Sequence, residues 1–262
     1  MISFSMDEPK ILAETLAEQY ATAILHEYFG DELFIGPVIE PIVHEMAAMN
    51  YQDVDDPEYY GAVIAIEGVP QVVINTHQPL RKRYYCVAQE LWHVLIVAGK
   101  IRETSLYDID RVCVEDHFAG ALMLPEILVR RFWQATSRQG TSEPEDFLFR
   151  LADLSSVSYT IVARRMRELK LTRLPKEWTL RTEDDWIMRR QARGLLASPL
   201  DVAKTHVGFS DLSKFVLEDL DTGRITVDEA ISMLTYANPE KAKSLWEGRL
   251  QQMSAVMDAD DK

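Results

Sequence analysis

Apolar residues recur at helical spacing over residues 8–29, from Ile11, Leu12 and Leu16 to Ala23, Ile24 and Leu25, and the run stops at Gly30. A second helix is predicted over 36–49, with Pro37 near its start. Residues 50–60 are acidic and irregular. Two short alternating runs follow, at 62–66 and 71–75, joined by the turn Glu67-Gly68-Val69-Pro70, and they predict a small antiparallel strand pair. The helical period returns over 80–98 and stops at Gly99. The next helix starts near Asp108 and Asp110, whose carboxylates suit a helix N-terminus, and Pro125 opens another through about Trp133.

Gln139-Gly140-Thr141-Ser142-Glu143-Pro144 has the composition of a linker. Residues 147–171 then predict a helix–turn–helix pair, with Ser158 capping the second helix and Val162, Met166 and Leu169 as its buried stripe. In the last third, Trp178, Trp186 and Trp246 supply core or interface material. The run 219–229 has the glycine and the closing Glu229 of a calcium loop. Its third position is Leu220, however, which cannot ligate. The better prediction is a helix, a turn at Gly223, and a helix capped by Thr226 with Glu229 as its capping-box partner. The acidic tail at 258–262 is predicted to be disordered. The fold class is α+β, mostly helical. Residues 1–138 form a first unit with the small antiparallel sheet, 144–173 a helix–turn–helix-like segment, and 174–262 a helical C-terminal region.

Composition sets bounds. The chain has 262 residues, enough for a real core, with 47% hydrophobic and 27% charged residues. No apolar run is long enough to span a bilayer and the first ten residues lack a secretory pattern, so the expected location is cytoplasmic. The two cysteines, Cys86 and Cys113, are expected to be buried thiols, and they are too few for a zinc ribbon. The net charge of −14 repels nucleic acid and anionic membranes and suits a basic protein partner. Arg164, Arg165, Arg167, Lys170 and Arg173 make a local basic patch such as a DNA-reading helix carries, which leaves a DNA-binding regulator as one alternative. The overall charge argues against direct DNA binding.

The chemistry concentrates in Gln89-Glu90-Leu91-Trp92-His93. In the zinc-protease motif H-E-x-x-H, two histidines four apart grip zinc from one helix face, and the glutamate polarises the attacking water. Here Gln89 stands in place of the first histidine. Two further His-Glu pairs, His26-Glu27 and His44-Glu45, have no second histidine at the required spacing.

The strand pair, the stretch Gln78-Pro79-Leu80-Arg81-Lys82-Arg83 leading into Ala88-Gln89-Glu90-Leu91-Trp92-His93, and the helix Val112-Cys113-Val114-Glu115-Asp116-His117-Phe118-Ala119-Gly120-Ala121-Leu122-Met123-Leu124-Pro125 together resemble the ImmA/IrrE family of regulatory zinc peptidases over about residues 8–172. The resemblance implies a zincin-like fold, Glu90 as general base and His93 as a zinc ligand. It also exposes departures. Gln89 replaces the first ligand, Val112 stands where the third ligand glutamate is expected, Glu115-Asp116 replaces an Ala-Asn pair, and Trp92 replaces a small residue. Among Asp108, Asp110, Glu115, Asp116 and His117, the favoured reading of Glu115 and Asp116 is a solvated helix face; the alternative is a one-turn register shift that would bring Glu115 or His117 toward His93 and give a rescued zinc site of His93, Glu115 and the amide oxygen of Gln89.

Otherwise no cofactor is expected. The resemblance then implies a degenerate member, a pseudo-peptidase that binds a basic repressor or toxin through the region around Gln89, Trp92, His93 and Glu115. Phage, mobile-element, stress-response and toxin–antitoxin settings are the family's. The alternative is an active zinc endopeptidase cleaving a DNA-binding repressor.

Overall fold

A computed structural model describes residues 8–30, 33–66, 69–101, 111–138, 143–209 and 213–260. Helix α1 (Glu8–Ile24) runs into a π turn over Leu25–Phe29 and ends at Gly30, which adopts φ +72°. Its inner face carries Ala13, Ala17 and Ala21, all fully buried. Small side chains one turn apart let α1 lie close against α4 (Arg111–Met123).

The helix predicted over 36–49 is shorter. After a 3-10 turn at Gly36–Val38, α2 covers Ile39–Met46, and Ala47 is already extended. Residues Ala48–Gln52 form β1, which corrects the prediction of helix and irregular chain there. β1 pairs in parallel with β3 (Val69–Asn75), from Ala48 opposite Gln71 to Gln52 opposite Asn75. β2 (Gly61–Ile66) pairs with β3 antiparallel, as predicted, and β4 (Gly208–Phe209) pairs antiparallel with β1. The sheet order is β2-β3-β1-β4, so the sheet is mixed rather than purely antiparallel. A parallel partner arrives by a distant connection and leaves no turn signal beside it. The acidic loop after β1 is held by polar side chains. The Asn75 amide donates to the carbonyls of Val54 and Tyr59, both at 2.9 Å, and the Gln78 amide donates to Tyr59 at 2.9 Å.

Helix α3 (Leu80–Val97) lies across the sheet. It passes so near β2 that a Cβ at Gly61 would sit 2.7 Å from the Val73 carbonyl and 2.9 Å from Cys86 Sγ. Gly99, at φ +68°, closes α3 with its amide donating to the Ile96 carbonyl, while that of Lys100 donates to Leu95. Arg81, although charged, is buried. It donates to Asp153, Asp201, Ser198, Tyr159 and the carbonyl of Ala152, tying α3 to distant segments.

Pro125 precedes α5 (Glu126–Arg138), which extends past Trp133. Of the predicted linker, residues 139–142 lie outside the described residues, and Pro144 opens α6 (Pro144–Ser155). The predicted pair is completed by α7 (Tyr159–Glu168). Ser158 holds the cap position but makes no capping hydrogen bond. Glu183, at the start of α8 (Glu183–Ala192), accepts from the Tyr159 and Thr160 amides at 3.1 and 2.8 Å instead. A longer carboxylate from a packed helix has displaced the local serine.

One core runs from α1 through Trp178 and Trp186, so the 144–173 segment shares it with the sheet unit. Helices α9 (Ser213–Asp221), α10 (Val227–Ala237) and α11 (Pro239–Asp260) add a small core of Val216, Ile225, Ala230, Leu234 and Ala242. Thr226 and Glu229 form the predicted capping box, and Gly223 turns at φ +71°. The helix continues through Asp260, which corrects the disordered tail for 258–260; Asp261 and Lys262 lie outside the described residues. Among the described residues no helix is long and apolar enough to cross a membrane.

Candidate functional site

On α3, Gln89 precedes His93 by four residues and Glu90 by three, so with 3.6 residues per turn both lie one turn before it. Glu90 and His93, three apart, share a face turned toward α4, and Glu115 projects from α4 to meet them. The result is a direct contact: His93 Nε2 lies 3.0 Å from Glu115 Oε2. Glu115 is therefore not a free solvated position but is half-buried against His93. His117 and Asp116 go elsewhere, because consecutive helical residues point about 100° apart. His117 pairs with Glu18 of α1 at 3.2 Å, and Asp116 accepts from Tyr85 Oη and from Arg164. Asp108 and Asp110, and the side chain of Val112, lie outside the described residues.

The electrostatics follow from this layout. Burial pushes the Glu90 carboxyl up from 4.5 to about 7; His93 pulls it down and Glu115 adds to the rise. The hydrogen bond that His93 donates to Glu115 raises the imidazole above 6.5, against the opposing effect of its partial burial. Cys86, one turn before Glu90, donates its thiol to the Glu90 carboxylate at 3.9 Å, and burial pushes that thiol well up. Tyr59, from the loop before β2, is raised by burial and then by Cys86 and Glu90. The cluster thus holds a carboxyl that titrates near neutrality beside an imidazole that favours its proton. Cys86 was legible from its spacing to Glu90, whereas nothing local in the acidic loop singled out Tyr59. Arg83, a conceivable partner for Glu90, is bound by Glu40 at 2.7 Å.

Trp92 corrects an expectation. It is 3% exposed, edge-on to Tyr20 at 5.7 Å and tilted on Phe118 at 5.2 Å. The ring fills space between α1 and α4 and offers a partner almost no surface. The position next to His93 faces inward because one helical step separates the two.

A metal would need more than this geometry provides. His93 and Glu115 are suitable donors, and a metal between them would replace their hydrogen bond. Gln89, half-buried on the preceding turn, offers a neutral amide where zinc sites use imidazole, thiolate or carboxylate. Among the described residues, no three His, Cys, Asp or Glu side chains converge as a metal site requires. Among the described residues, His93 and Glu115 are the two strong donors that meet.

Two arginines of the basic patch, Arg164 and Arg165, are used inside the molecule. Arg165 is 2% exposed, donates to the Leu124 carbonyl at 3.0 Å and pairs with Glu18. Arg164 pairs with Asp116 and donates to Tyr85 Oη at 2.9 Å. Arg167 donates to Thr179 Oγ1 at 2.8 Å and to the Lys176 carbonyl at 3.1 Å. Arg165 is thus unavailable to a phosphate and Arg164 is neutralised, while Arg167, Lys170 and Arg173 are exposed. No protein-family model matches this chain, and no curated protein matches it significantly.

Proposed function

We propose that this chain is a pseudo-peptidase of the ImmA/IrrE type, a regulatory protein that acts by binding another protein rather than by cutting it. One observation carries the reading. The single histidine of the motif, His93, spends its Nε2 on Glu115, and the neighbouring ligand position holds the neutral amide of Gln89. Among the described residues two strong donors meet without a third, which makes a weak zinc site, and without a held metal there is no activated water for Glu90 to assist. The partner suggested by the charge of −14 is basic, such as a DNA-binding repressor or a toxin. The internal engagement of Arg164 and Arg165 supports protein rather than DNA as the target.

A second reading rests on the same contact. His93 and Glu115 within 3.0 Å are already placed to share a metal, and the Gln89 amide oxygen would complete an active zinc endopeptidase, with Glu90 as general base. Metal analysis separates the two. Protein purified without chelator, and its Gln89→His variant, are measured for zinc. The pseudo-peptidase reading expects little metal in the wild type and a clear gain in the variant, since histidine restores the third donor. Near-stoichiometric zinc in the wild type would overturn it.

A further inference from the structure

Away from the His93 cluster, a cavity of about 590 Å³ opens between the end of α3 and the C-terminal helices. Part of its wall is apolar, formed by Val69 of β3, Val94 and Val97 of α3, Phe215 of α9 and Ile225 of the turn before α10, and the rest is polar. Its size falls within the range of sites that bury a ligand or several side chains, about 300–1,000 Å³. Glu90, His93 and Glu115 do not line it, so it is separate from the cluster above.

The rim decides what it would accept. Two cations border the cavity and both are neutralised: Lys100 by Glu27 at 3.0 Å, and Arg224 by Asp219 at 2.8 Å. Two exposed carboxylates, Glu45 on α2 and Glu218 on α9, have no side-chain ion pair among the described residues. The uncompensated charge is negative, on an acidic protein. An occupant that matches this lining carries apolar side chains for the Val94, Val97, Phe215 and Ile225 part of the wall and positive charge for the rim.

We propose that this cavity is a docking site for an amphipathic, lysine- or arginine-bearing segment of a protein partner. The proposal rests on the reading that the chain works by protein binding, and it names the surface and the partner's chemistry.

The test is fluorescence anisotropy with a labelled leucine/lysine amphipathic peptide of about 18 residues, compared with a leucine/glutamate counterpart. Three proteins are used: wild type, Glu45→Gln with Glu218→Gln, and a control losing two exposed charges elsewhere, Glu58→Gln with Glu177→Gln. All four sites are exposed, so folding should survive in each. The lysine peptide should bind wild type and control within about twofold of each other, and the rim variant about tenfold more weakly. Binding should also weaken as salt rises. Equal affinity for all three proteins, equal binding of the glutamate peptide, or no binding of the lysine peptide by wild type would each overturn the proposal. Zinc or turnover in the wild type would overturn the pseudo-peptidase reading instead and leave this binding result unchanged, so the two failures are distinct.

Discussion

Replacing Glu90 by glutamine should make the protein more stable at alkaline pH and leave it nearly unchanged in acid. The carboxyl is 9% exposed, and burial holds it at about 7 rather than 4.5. The folded chain therefore binds a proton that the unfolded chain releases between these values. Stability from this group is fully present below 4.5 and is lost as pH rises through about 7. The shift corresponds to about 3 kcal/mol. Glutamine matches the size and hydrogen-bonding capacity of the protonated acid and cannot ionise. Urea unfolding of both proteins, extrapolated linearly from about pH 4.5 to about pH 8.5, should give superimposable stabilities at the acid end. The variant should then gain up to about 3 kcal/mol at the alkaline end.

His93 acts in the same direction: its raised value gives stability that is present below 6.5 and lost as pH rises through its folded value. Since Glu90 contributes to that rise, the variant sacrifices a little of it, which trims the gain. An offset independent of pH would refute the reasoning. So would a variant that is weaker at high pH, which would mean that a cation stabilises the Glu90 carboxylate.

Other substitutions probe the packing around this cluster. Trp92→Ala, which empties a site between Tyr20 and Phe118, should cost about 3–5 kcal/mol in chemical denaturation; a loss under about 1 kcal/mol would mean that the ring is not core. Gly61→Ala should cost about 1–3 kcal/mol, because the added methyl meets the Val73 carbonyl and Cys86, and an unchanged melting temperature would contradict the close approach. Glu183→Ala should lower stability by about 1–2 kcal/mol through the exposed amides of α7, with the largest loss of amide-exchange protection at Tyr159 and Thr160.

Glu18 offers a second pH test of opposite sign. Burial alone would raise it, but hydrogen bonds from His117 and Arg165 outweigh that and bring it to about 2. Its stabilisation is present above 4.5 and lost as pH falls toward 2, so Glu18→Gln should flatten the acid limb of the stability curve. An unchanged acid limb would show that the pairing is weak in solution.

The elements that could be read along the chain are those whose signals are local. The period of α1, the glycine that stops α3, the β2–β3 pair and the Thr226–Glu229 box each need only a few neighbouring residues, and each stands where its pattern placed it. So does the spacing that set Glu90 and His93 on one face. Other features depended on which segments meet. β1 exists because Ala48–Gln52 finds β3 in parallel, a partner about twenty residues away with no hairpin to announce it. The α7 cap comes from Glu183, so Ser158 alone was misleading. The helix–turn–helix arginines look like phosphate contacts until α1 and α4 supply Glu18 and Asp116 to neutralise them. Trp92 looks like an interface anchor until α1 covers it with Tyr20. A residue's type and period establish what it can do and which way it points; only the tertiary structure decides which partner is there, because burial and pairing are properties of contacts between segments distant in the chain.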